Sequence, residues 1–158
     1  MKATRLLACI ALAFAACATP APGTATFEVD GKAESIVNPH ARTQVQDIEI
    51  EGERAGIDLA HDVVFFLDVP TAPGAFDCTS MIPTATYYEP VGSTSGEPSF
   101  VAPTWAASLY LPGTSCSGEW RQQGSRMVGS VHAIMTQLLV ESTQTRQASG
   151  TFDLPMPN

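Results

Sequence analysis

The stretch "ATFEVDGKAESIV", residues 25–37, decides the fold class. Phe27 and Val29 alternate with Thr26 and Glu28, the period of a half-buried strand. Asp30-Gly31 then interrupts the pattern. Asp-Gly between alternating segments is a strong hairpin signal, because the favoured two-residue turn needs positive φ at both central positions. The stretch predicts two antiparallel strands.

Working outward, the same period recurs and helical periodicity hardly appears. "VQDIEIEGE" (45–53) puts Ile48 and Ile50 on one face and Asp47, Glu49, Glu51 and Glu53 on the other. "HDVVFFLDV" (61–69) is apolar on both faces and reads as a central strand of a covered sheet. "GAFDC" (74–78), "ATYYE" (85–89), "WAASLYL" (105–111), "RMVGSVHAIM" (126–135) and "ASGTFDL" (148–154) are further short strands, and "VGSTSGEP" (91–98) is a loop. "AIMTQLLVEST" (133–143) has the only trace of helical character; lacking caps, it reads as a strand running into a turn. Twelve Pro and twelve Gly supply the turns. The expectation is an all-β domain over 25–158, an antiparallel β-sandwich or flattened barrel of about eight or nine short strands. Phe27, Val29, Ile48, Ile50, Val63, Phe65, Leu67, Val128, Phe152 and Leu154 are its expected core.

The N-terminus carries an address. Lys2 and Arg5 precede an apolar run from Leu6 to Ala16, the layout of a secretory signal. The run is far short of the roughly 20 residues of a membrane-spanning helix. Phe14-Ala15-Ala16-Cys17 resembles the lipobox of bacterial lipoproteins, with Phe14 where that box usually has Leu. The resemblance implies a signal peptide over 1–16 and a Cys17 that is acylated and N-terminal after cleavage. A flexible Pro-rich tether over 17–24 follows. Ala18, rather than Asp, implies sorting to the outer membrane. Leu6-Leu7-Ala8-Cys9 also fits the box but leaves almost no apolar core before the cut. Cleavage after Ala18 in Ala16-Cys17-Ala18 is the rival reading and would release a secreted protein. The strands "TFEVDGK" and "GTFDL" and the Gly-x-Phe pieces resemble small lipoproteins built as β-sandwiches, a resemblance that carries no catalytic residues.

From Cys17 onward, six basic residues face sixteen acidic ones, a net charge of −10. That disfavours nucleic acid and anionic lipid headgroups as partners. Cys78 and Cys116 are then the remaining cysteines, and an even pair in an exported protein reads as a disulfide. It would close a loop of 39 residues, worth about 4 kcal/mol by chain entropy.

The chemistry-bearing residues are sparse. Asp58, His61 and Asp62 are the nearest approach to a metal cluster, but a site needs three or four preorganised ligands. The acidic row on 47–53 suits calcium in ligand type. Its side chains, about 6.5–7 Å apart along a strand, fit a solvated, charge-protected edge better. Ser115 and Ser117 lack a nucleophile-elbow setting, and His132 lies in a strand with no evident acid–base set. Tyr87, Tyr88, Trp105, Tyr110 and Trp120 flank the two cysteines and form a candidate binding surface for a glycan or protein partner. The expected function is therefore a lipid-anchored envelope module that binds or supports without catalysis, cofactor or metal. The alternatives are a small envelope hydrolase using His61 or His132, and a secreted carbohydrate- or calcium-binding domain.

Overall fold

A computed structural model describes residues 21–54, 63–77, 84–88, 104–138 and 144–158. These residues are all-β, with no helix among them. In chain order the strands are β1 (Thr24–Val29), β2 (Lys32–Glu34), β3 (Ile36–Thr43), β4 (Asp47–Arg54), β5 (Val63–Pro70) and β6 (Gly74–Asp77). They continue as β7 (Thr84–Tyr88), β8 (Thr104–Ala107), β9 (Ser115–Gln123), β10 (Arg126–Gln137) and β11 (Thr145–Pro155).

The β1–β2 hairpin turns at Asp30 and Gly31, both at positive φ (51° and 75°), as the Asp-Gly pair predicts. Every pairing is antiparallel, in the order β2-β1-β11-β10-β8-β7-β5-β4-β3, with β9 joined to β10 and β6 to β9. The twelve residues of β10 create a fork. One edge pairs with β11 from Arg126 to Thr136; the other pairs with β9 up to Ile134 and then with β8 at Thr136 and Gln137. The fork and the natural strand twist curl the sheet until β3 packs against β1 and β11, nearly closing a barrel.

The strand number exceeds the eight or nine expected. β3 and β9 are the additions, and both lack an alternating apolar signal. β3 contains Pro39 and is bulged, with Asn38 at φ 48° between Val37 and His40. β9, "SCSGEWRQQ", looks like a loop in isolation and becomes a strand because β10 and β6 pair with its two edges. The strand expected over 105–111 is shorter: β8 ends at Ala107, and Leu111 N donates to Ser108 O (3.1 Å) in the turn that follows. β10 does run into a turn at Leu138, as "AIMTQL" suggests.

Alternate residues of each strand fill the interior. Phe27, Val29, Ile48, Ile50, Phe65, Leu67, Phe152 and Leu154 are buried as expected. Val128 is not in the core. It points outward and half-buried, while Met127 takes the interior position, because the inward set of β10 is Met127, Gly129, Val131, Ala133 and Met135. The side chain of Val63 lies outside the described residues. Phe27 stacks on Phe65 with ring centroids 4.7 Å apart, worth about 1 kcal/mol beyond its area. Of the tether expected over 17–24, Thr24 belongs to β1 and the Ala21 and Pro22 carbonyls accept from Arg126, while 17–20 lie outside the described residues.

Candidate functional site

The period-two pattern that buries one face of β1, β11, β10, β9 and β6 turns a polar face outward. Ladder pairing aligns that face into rungs. Thr24, Asp153, Val128 and Arg121 form the first; Thr26, Thr151, Ser130, Glu119 and Ala75 form the second. Glu28, Ser149, His132, Ser117 and Asp77 form the third. Apart from Glu119, the middle rung has short side chains, so the face is hollow there. A groove of about 650 Å³ lies over the first two rungs, and one of about 420 Å³ lies over the third. Thr26 and Thr151 hydroxyls meet at 2.8 Å on the groove wall. Hydroxyls, carboxylates, one guanidinium and one imidazole can exchange hydrogen bonds with a polar ligand here.

His132 faces Ser117 directly across the ladder, with Ser149 on its other side. No hydrogen bond joins His132 to either serine among the described residues, and Ser115 is one step further along, opposite Ile134. His61, Asp58 and Asp62 lie outside the described residues, as do Cys17 and Cys78. Cys116 is buried.

The aromatic surface expected from the sequence does not assemble. Tyr87, Trp105 and Trp120 are each only 3% exposed and belong to the core. The reason is strand parity: each sits at an inward position, and each polar tip finds a use there. Trp120 Nε1 donates to Pro70 O (2.9 Å), and Tyr87 Oη donates to Glu34 (2.7 Å). Trp105 is covered by the Arg146 guanidinium, 4.9 Å from its ring centre. Tyr88 is half-buried and meets Phe66 edge-on, its phenol pushed up in pKa by burial. Tyr110 alone of the five is well exposed, on the turn after β8.

The acidic row is likewise not a solvated edge. β4 lies between β3 and β5, and β3 lays Arg42, His40 and Asn38 over it. Arg42 binds both Glu49 and Glu51, His40 Nε2 lies 2.9 Å from Glu51, and Asn38 donates to Glu53 (3.0 Å). On β5, opposite Glu49, Asp68 accepts from the Thr84 hydroxyl. Burial first, then the charges of Asp47 and Glu49, push its pKa above the usual carboxylate value, against the lowering effect of the Thr84 bond. Among the described residues no three His, Cys, Asp or Glu side chains converge to hold a metal ion.

Two polar clusters escaped the sequence reading because their members are remote in the chain. Glu34 accepts from Tyr87 and pairs with Arg54 (3.5 Å), and both Glu34 and Arg54 are largely buried. Asp30 accepts from Gln147 N (2.9 Å) and from Arg146 (2.8 Å), contacts that lower its pKa in that order. No protein-family model matches the chain, and the search of curated proteins gives no significant match. The functional reading therefore rests on these residues.

Proposed function

We propose that this chain is a lipid-anchored cell-envelope protein whose barrel-like domain is a non-catalytic binding module. Its ligand surface is the polar outer face of β1, β11, β10, β9 and β6. The observation that carries the reading is the pair of adjoining grooves along three polar rungs, where hydroxyls and carboxylates stand among glycine, alanine and other apolar surface. Such a lining suits a polyhydroxylated ligand, a glycan before a protein. The lipobox-like Phe14-Ala15-Ala16-Cys17 supports the anchor and an outer-membrane address. The Cys78–Cys116 pairing is part of this proposal: Asp77 faces Ser117, so the next step of the same ladder on β9 is Cys116.

The test is a glycan-array screen of the purified protein alongside Ser130→Arg, which fills the hollow at the middle rung. Loss of every wild-type signal in a folded variant supports this face. Unchanged binding by the variant removes the face from consideration. A second reading, a hydrolase, is favoured by one observation: His132 stands between Ser117 and Ser149 on a rung ended by Glu28 and Asp77. Ester or glycoside turnover that disappears in His132→Ala would select it.

A further inference from the structure

Arg126, the first residue of β10, holds the incoming chain to the barrel. Its guanidinium binds Asp153 through the side chain and through the carbonyl (2.8 Å), and it donates to Ala21 O (3.0 Å) and Pro22 O (3.4 Å). Gly23 comes next, in a slot with no room for a side chain. A Cβ there would lie 2.6 Å from Leu154 Cδ2 and 2.7 Å from Pro39 O. The Pro-rich segment is thus seated from Ala21 onward. Only four residue steps separate Ala21 from Cys17, at most about 14 Å of extended chain.

The surface around this clasp differs in charge from the rest of an acidic chain. The β9–β10 turn and the C-terminal segment meet here, with Met156 N donating to Ser125 O (2.8 Å). Residues 120–127 and 154–158 contain Arg121 and Arg126 but no Asp or Glu. The chain as a whole carries sixteen acidic and eight basic residues. The Asp153 carboxylate at this end is paired with Arg126, so the end, on a leash this short, meets an anionic headgroup layer with little repulsion.

We propose that the β9–β10 turn and the adjoining C-terminal segment are the membrane-facing surface, held against lipid headgroups by the Arg126 clasp. This rests on the lipid anchor proposed above. The opposite end of the β10–β11 ladder, where Thr145 pairs with Thr136, then points away from the bilayer. Ten residues of β10 separate the two levels, roughly 33 Å at strand rise.

The experiment uses the mature protein in vesicles of phosphatidylethanolamine and phosphatidylglycerol carrying headgroup nitroxides. A fluorophore is placed at Gln123→Cys or at Thr145→Cys. Quenching several-fold stronger at 123 than at 145, with the difference much reduced by Arg126→Ala, is the expected result. Arg126→Lys, which keeps the charge but not the forked donors, should lie between them; it also provides a readout if the alanine variant folds poorly. Equal quenching at the two positions in the otherwise unaltered protein overturns the proposal. The mass of the N-terminal peptide from the same vesicles separates the two failures. Acyl chains with equal quenching sink the orientation alone, whereas an unacylated N-terminus sinks the anchor and the orientation with it.

Discussion

Phe152 on β11 lies across the backbone of Gly129 on β10, its ring occupying the space where a Cβ would stand. The relationship recurs at Phe27 over Gly150, Phe76 over Gly118 and Phe65 over Gly52, each a directly opposed cross-strand pair. A glycine inside a strand loses packing and entropy, and an aromatic ring laid over it from the neighbouring strand restores the cover.

Gly129→Ala should therefore destabilise well beyond a propensity change, because the added methyl meets both the Phe152 ring and the Glu119 carbonyl. Overpacking of this kind costs typically about 1–3 kcal/mol. Phe152→Ala, which empties the same site, should cost about 3–5 kcal/mol. Urea titration of both variants tests the pair. A neutral Gly129→Ala would show that the ring moves aside freely.

The Glu34 cluster should act as a unit. Tyr87→Phe removes one donor to a largely buried carboxylate and is expected to cost about 1–3 kcal/mol. Glu34→Gln weakens both the Tyr87 and Arg54 contacts. The double variant should lose less than the sum of the singles, a coupling measurable by a double-mutant cycle. Strict additivity would mean that the Tyr87–Glu34 bond contributes nothing.

Asp68 sets a pH dependence with a definite sign. Its folded pKa is raised by burial and by Asp47 and Glu49, so its contribution to stability is fully present below the unfolded value of about 3.9. That contribution is lost as pH rises through the raised folded value. Asp68→Asn, which can still accept from Thr84, should raise the midpoint of thermal unfolding at pH 7, and the gain should vanish below about pH 4. A stabilisation that persists unchanged at low pH would contradict the assignment to this carboxyl.

Replacing the proposed Cys78–Cys116 pair by alanines should lower stability by about 4 kcal/mol and leave the strand spectrum in place. Non-reducing peptide mapping should recover the two linked peptides. Thiol labelling of Cys78 in the folded, oxidised protein would refute the pairing.

Much of the fold was legible in the sequence. Asp30-Gly31 specified a hairpin, and Ile48, Ile50, Phe65 and Leu67 declared their inward face by alternation. Parity was harder where both faces offered an apolar residue. In "RMVGSVHAIM" Met127 and Val128 compete, and the match of Gly129 to Phe152 on the paired strand accompanies the choice of Met127 for the interior. The candidate site was less legible. Tyr87, Trp105 and Trp120 read as a surface because aromatics near cysteines suit binding, yet each sits at an inward position.

What the sequence determined by itself is whatever depends on neighbours in the chain: the all-β class, the Asp-Gly turn and the period of each strong strand. Propensity, φ preference and alternation act over a few residues, so a linear reading reaches them. Only the tertiary structure decided which strands meet. Pairing with β10 and β6 turns "SCSGEWRQQ" into β9, and β3 converts the acidic row of β4 from a solvated edge into a covered, cation-paired face. It also aligned Glu28, Ser149, His132, Ser117 and Asp77, from five separate strands, into one rung. The physical reason is that ladder hydrogen bonds and side-chain burial join residues remote in the chain, and their register is set by how the whole sheet packs.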